Sequence, residues 1–317
     1  MTLRPYLLLA LASFLFLTSC QKEEIINNKV PVAEAGESQT VQVQEGVNTA
    51  TATLTGAGAD ADGNVVAYIW SQVSGPGASE IVNEGAPVTE VKGLITGSYL
   101  FQLMVVDNDG ATGVDTVSVI VKGPEYITLS LQPADNPDEA IIFGNSSINE
   151  TGADTKEIGA AAWTKGGSPI AIRGILKFNF SSIPSGATIK SAKLSLYSHP
   201  APINGHQYEE VRANYGSNNT MLIQKVTGAW DPQTLTFNNQ PSTTTNNQVV
   251  IPSTDQAFLD LLDVDVTQLV KNMTGSNTNY GFFLRLQNEV YYNSRIFATS
   301  QYSDASKHPK LVIVYSN

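Results

Sequence analysis

The stretch Ile170-Ala-Ile-Arg-Gly-Ile-Leu-Lys-Phe-Asn-Phe180 alternates Ile172, Gly174, Leu176, Phe178 and Phe180 with Arg173, Ile175, Lys177 and Asn179. Successive side chains of a strand point to opposite faces, so this period of two predicts a half-buried β-strand with a partly basic outer face. The same β character recurs downstream in Lys193-Leu-Ser-Leu-Tyr197, Leu235-Thr-Phe237, Gly281-Phe-Phe-Leu-Arg-Leu286 and Lys310-Leu-Val-Ile-Val-Tyr315. One segment departs from it. Asp265-Val-Thr-Gln-Leu-Val-Lys-Asn272 places Val266, Leu269 and Val270 at helical spacing behind a capping Asp265, which predicts one short helix.

Upstream, residues 31–122 carry short β-branched or alternating runs, among them Val65-Val-Ala-Tyr-Ile-Trp70, Tyr99-Leu-Phe-Gln-Leu-Met-Val-Val106 and Thr116-Val-Ser-Val-Ile-Val121. Turn residues separate them at Asp62-Gly-Asn64, Gly75-Pro-Gly77 and Asp107-Asn-Asp-Gly110. Gly123-Pro124 then marks a boundary, because proline ends strand pairing. The expected architecture is all-β: a small antiparallel sandwich over residues 31–123 and a second β domain over residues 125–317, the latter with the short helix.

The N-terminus has a different composition. Met1-Thr-Leu-Arg-Pro5, an apolar run from Tyr6 to Leu17 and Leu17-Thr-Ser-Cys20 have the three-part layout of a secretory signal, so residues 1–19 are expected to be removed. The run is shorter than the about 20 residues that a membrane-spanning helix needs. Small residues before Cys20 resemble the lipobox of bacterial lipoproteins, which implies lipidation of that thiol and anchorage to a bilayer. Residues 20–30 read as a polar tether. Its Gln21-Lys-Glu-Glu24 resembles the charged export signal of Bacteroidota lipoproteins, which implies the outer face of the outer membrane. Cys20 is the single cysteine, so no disulfide forms within the chain and the cores must supply its stability.

Charge is unevenly spread. Residues 20–126 carry 4 basic and 14 acidic side chains, and residues 127–317 carry 13 and 15. So acidic a chain is a poor partner for nucleic acid.

Few residues in the chain are arranged for catalysis or metal binding. The three histidines, His199, His206 and His308, have no metal-ligand spacing and read as surface or turn residues. His206-Gln-Tyr-Glu-Glu210 is the one cluster that offers a lyase-like general base. Asp60-Ala-Asp62-Gly63 and Asp107-Asn-Asp109-Gly110 bring carboxylates together in a way that suits calcium, and turn chemistry explains them equally well. No other cofactor is called for. Sugar binding needs flat aromatic faces and planar polar groups, with guanidinium forks where the sugar is a uronate. Trp163-Thr-Lys165 reads as a loop between strands, and Tyr291-Tyr-Asn-Ser-Arg295 as an aromatic and basic loop. Arg173, Lys177, Arg285, Tyr292 and Arg295 are the residues expected to line one shallow site.

Two family resemblances extend this reading. Pro31-Val-Ala-Glu-Ala-Gly36, Asp60-Ala-Asp-Gly63, Tyr68-Ile-Trp-Ser-Gln-Val-Ser-Gly-Pro76 and Gly97 through Gly110 resemble a polycystic-kidney-disease (PKD) domain. That implies an immunoglobulin-like sandwich acting as a spacer, with Trp70 in its core. Arg173 through Tyr197, Trp230-Asp-Pro-Gln-Thr-Leu-Thr-Phe-Asn-Asn-Gln-Pro241, Asp265-Val-Thr267, Asn279-Tyr-Gly-Phe282 and Ser303 through Leu311 resemble a DNRLRE domain, also called carbohydrate-binding module family 96. That resemblance implies a jelly-roll β-sandwich that binds polysaccharide, alginate included, without cleaving it. The expected protein is a non-catalytic surface lipoprotein that captures polysaccharide for separate glycan-degrading enzymes or transporters. A structural or adhesive protein that contacts other proteins is the alternative, and a polysaccharide lyase or hydrolase is a third reading.

Overall fold

The computed structural model describes residues 27–133, 138–144, 149–152, 155–275 and 278–317. The signal segment, Cys20 and the tether as far as Ile26 lie outside the described residues. The chain divides into two compact units between Gly123 and Pro124. Among the described residues no helix is long and apolar enough to cross a membrane.

The first unit contains β1 (Val32–Glu34), β2 (Gln39–Gln42), β3 (Ala50–Thr55), β4 (Ala57–Ala59), β5 (Val65–Ser74), β6 (Glu80–Ile81), β7 (Val88–Leu94), β8 (Gly97–Asp107) and β9 (Thr112–Lys122). They form sheets ordered β2-β9-β8-β5 and β3-β7-β6, with β1 paired to β4. Alternation along β8 sends Tyr99, Phe101, Leu103 and Val105 inward, where they meet Trp70, Leu54, Val91 and Leu94. Trp70 is fully enclosed and its indole N–H donates to the Ala86 carbonyl at 3.1 Å, so its one polar group is satisfied inside the core. This is an immunoglobulin-like sandwich with the expected core tryptophan.

The second unit contains β10 (Ile127–Leu131), β11 (Glu139–Phe143), β12 (Glu157–Lys165), β13 (Ser168–Leu176), β14 (Thr188–Leu196), β15 (Asn214–Tyr215), β16 (Met221–Val226), β17 (Thr243–Ile251), β18 (Leu261–Asp265), α1 (Thr267–Gly275), β19 (Phe282–Leu286), β20 (Asn293–Ala298) and β21 (Lys310–Ser316). One sheet is ordered β10-β21-β14-β18; the other is ordered β15-β20-β12-β13-β19-β16-β17, with β11 also on β13. Leu176, Leu194, Phe282, Phe297 and Leu311 fill the core of this β-sandwich. The helix forms where expected. Asp265 Oδ1 accepts from the Thr267 amide at 3.0 Å, and Leu269, Val270 and Met273 turn into the core. The Lys193 ammonium, 2.8 Å away, together with the Thr267 amide holds the Asp265 carboxyl down to about 2.

Three sequence expectations are corrected here. Trp163-Thr-Lys165 is not a loop but the end of β12, because Gly166 and Gly167, at φ +58° and +81°, turn the chain directly into β13 with Lys165 opposite Ser168. Leu235-Thr-Phe237 is not a strand. It belongs to the connection between β16 and β17, which drops Leu235 and Phe237 onto Ile142, Ile175 and Phe283. The outer face of β13 is therefore half covered, with Ile175 wholly buried beneath that connection.

Candidate functional site

The end of the sandwich around Trp163 carries an open cleft of about 500 Å³, within the size range of ligand pockets. Phe143 from β11, Trp163 from β12 and Ile170 and Ile172 from β13 make its apolar floor, and Ile203 to Tyr208 supply a wall. Half-buried Trp163 is the centre of a set of rings. Tyr292 meets it edge-on at 5.3 Å, Tyr215 at 5.7 Å and His206 at 6.2 Å. Tyr208 stands 75% exposed at the lip, and Tyr292 is 53% exposed. Lys165 and Glu150 pair across the cleft through two bonds of 2.7 and 2.9 Å.

The wall is fastened from below. Glu157 on β12 accepts from the backbone amides of Ile203 at 2.9 Å and Asn204 at 3.0 Å, and from the Asn204 side-chain amide. Burial raises the Glu157 carboxyl above its ordinary value, against the lowering effect of these donors. His206 and Arg212 exchange backbone hydrogen bonds of 3.0 and 2.9 Å, which closes the tip carrying Tyr208, Glu209 and Glu210. Gly205 lets the chain pass there, since a Cβ would come within 2.5 Å of the Arg212 carbonyl. The His206 ring stacks on Tyr215 at 4.0 Å, with Nδ1 donating to the Glu210 carbonyl. His206-Gln-Tyr-Glu-Glu210 is thus a pinned wall of the cleft.

The five residues expected to share one site are distributed by the fold. Arg173 and Arg285 do come together. Both face Glu289, Arg173 through bonds of 2.7 and 3.0 Å and Arg285 at 3.7 Å. Arg173 also donates to Gln240 at 2.8 Å and lies 4.7 Å over the Phe237 ring, so its fork is already filled. Lys177 leans on Asp138 at 3.6 Å. Tyr292 joins the Trp163 cleft instead. Arg295 is a correction: it is not in a loop but in β20, where the inward register leaves it 0% exposed. Its Nη1 donates to the Pro252 carbonyl at 2.9 Å, whereas Nε and Nη2 find no partner, and burial lowers the guanidinium to about 10.

His199 is likewise no surface residue. It is buried, its Nδ1 accepts from the Ala201 amide at 3.2 Å, its ring lies 4.8 Å from Tyr302, and burial lowers it from the usual histidine value. In the first unit, Asp107 Oδ1 accepts from the Asp109 and Ala111 amides at 2.9 Å, while Asp62 accepts from the Lys29 amide. Asp109 takes the Asn108 amide at 2.9 Å, and both oxygens of Asp60 are buried without a partner. Among the described residues no group of three or more His, Cys, Asp or Glu side chains is placed to hold a metal.

The Trp163 cluster was only partly readable from the sequence. Trp163, His206, Tyr208 and Tyr292 each fall in a segment that draws notice, but Tyr215 does not, and nothing local says that the four segments meet.

Residues 35–121 match the family model described as K319L-like, PKD domain, and residues 162–315 match carbohydrate-binding module family 96. A PKD domain precedes a family 96 carbohydrate-binding module. Among curated proteins, the chain is 32% identical over 108 residues to the dyslexia-associated protein KIAA0319-like protein of Mus musculus, covering 32% of this chain and 10% of that protein. The human dyslexia-associated protein KIAA0319 is 31% identical over 120 residues, covering 35% of this chain and 11% of the relative. The chain therefore spans about a tenth of the length of these relatives. Among solved structures, the PKD domain from KIAA 1837 protein is 31% identical and aligns with 29% of this chain and 85% of its own, at a TM-score of 0.25. Most of the Trp163 cleft lies within the matched residues, among them Trp163, the 203–208 wall and Tyr292, while Phe143 and Glu150 precede them. Both matched domains are of non-catalytic types.

Proposed function

We propose that this protein is a non-catalytic lipoprotein of the outer-membrane surface that holds polysaccharide in the Trp163 cleft, with the PKD domain as spacer between the lipid on Cys20 and the module. The observation that carries the reading is the cleft itself. An indole ringed by Tyr215, Tyr292 and His206, with Tyr208 at the lip, offers the apolar faces that a pyranose ring covers, and Thr164, Asn204 and Gln207 beside it suit sugar hydroxyls. The carbohydrate-binding type of the matched module supports the same conclusion. Retained polymer would be concentrated beside enzymes or transporters that process it.

The test is calorimetric titration of the purified chain with a panel of soluble polysaccharides, repeated with Trp163→Ala. The expected result is binding of at least one polymer and a roughly tenfold or greater loss in the variant, since central aromatic anchors dominate such contacts. Appearance of new reducing or unsaturated ends in the polymer would replace this reading with a catalytic one.

A further inference from the structure

We infer that the polysaccharide held at the Trp163 cleft is uncharged, a conclusion that rests on the cleft being the glycan site. A chain of uronates carries a carboxylate on every residue, and recognising it requires cationic side chains with unfilled donors facing outward, best of all the two-pronged edge of an arginine. The module has four arginines; a carboxylate already stands against three of them, and the fourth is buried. Arg173 gives its Nε and Nη2 to Glu289 and its Nη1 to Gln240. Arg285 faces the same Glu289 and donates Nε to the Leu286 carbonyl at 3.2 Å. Arg212 places Nε and Nη2 on Glu210. Arg295 lies inside the sandwich, away from any polymer.

The cleft repeats the pattern at close range. Its charged lining residues are Lys165 and Glu150, and they neutralise each other. The adjoining tip carries Glu209 and Glu210 against Arg212 alone, so the field at the lip is negative. Elsewhere on the module Lys177, Lys193 and Lys307 are paired with Asp138, Asp265 and Asp260, and Lys156, Lys271 and Lys310 lie outside the lining of the cleft. The remaining cleft groups are Thr164, Asn204, Gln207 and the rings. Asn204 gives an amide N–H to Glu157, and Gln207 gives its own to the Pro202 and Ile203 carbonyls, so their side-chain carbonyls are left to accept from sugar hydroxyls, while the Thr164 hydroxyl can donate and accept; none of these contacts needs a charged ligand.

The experiment compares neutral polymers (a β-glucan, a xylan and a galactomannan) with alginate and polygalacturonate, on the full chain and on Trp163→Ala, at about 20 mM and about 500 mM salt, conditions that move the Debye length from roughly 20 Å to under 5 Å. The expected outcome is binding of a neutral polymer that changes less than about twofold with salt and falls roughly tenfold or more in Trp163→Ala, with no binding of either uronate. Uronate binding that weakens with salt and is lost in Trp163→Ala overturns the uncharged ligand and leaves the cleft as the glycan site. Binding of any polymer that Trp163→Ala leaves unchanged, or no binding at all, overturns both.

Discussion

Two parts of the same module combine aromatic and basic residues and have opposite fates. Over Ile175 and Phe283 the connection between β16 and β17 folds back, so that Leu235 and Phe237 close an apolar cluster and Arg173 is locked between Phe237, Gln240 and Glu289. Around Trp163 no such cover exists among the described residues, and Tyr208 and Tyr292 stay exposed beside a cleft. Composition does not separate the two regions. What separates them is whether the chain itself has used up the polar and apolar valences that a ligand would need.

This contrast can be broken by experiment. The largest effect is expected from Leu235→Ala, which opens a cavity beneath the closed connection and should cost about 3 kcal/mol in a denaturant titration while the folded protein keeps its glycan affinity. A parallel loss of affinity would show that the two regions act as one. Next comes Arg295→Met. A guanidinium without a counter-charge is costly to bury, and its lowered pKa means that the charge opposes folding at every pH below about 10. The variant should gain stability by about 1–2 kcal/mol at pH 7 with unchanged glycan binding. A loss instead would make Arg295 a structural partner of groups inside the core.

The smallest effect is expected from Glu157→Gln, read through pH. Because burial raises this carboxyl in the fold, the folded state takes up its proton at a higher pH than the unfolded chain does. Its ionised form therefore opposes folding at neutral pH, and that cost is relieved as pH falls through the raised value. Glu157→Gln should flatten this part of the stability profile between neutral pH and the ordinary glutamate range. It should also weaken glycan binding slightly, because the 203–204 wall loses part of its acceptor. An unchanged pH profile would assign the titration to buried Glu139, whose carboxyl burial also raises.

Much of the architecture was legible because period two is a local property. The run from Tyr99 to Val106 declares its inward face residue by residue, and Asp265, four residues ahead of Leu269, announces a helix start. The site was less legible, for a reason visible at Arg295. Pattern reading sees a polar residue after Tyr291 and Tyr292 and sends it outward, but the register of β20 against β12, with Arg295 opposite Ala160, turns it inward. The same holds for Trp163, read as a loop residue, which the hairpin turn at Gly166 and Gly167 leaves in β12 opposite Ile170.

The sequence by itself determined two β modules, the place of helix α1, the core role of Trp70 and the uneven division of charge, since each depends on spacing or composition within a short stretch. Only the tertiary structure decided which aromatic residues form a cleft and which arginines are consumed by Glu289, Gln240, Glu210 or the core. Several of those outcomes depend on segments far apart in the chain, as between Arg173 and Glu289, more than a hundred residues away, and on the register with which strands pair.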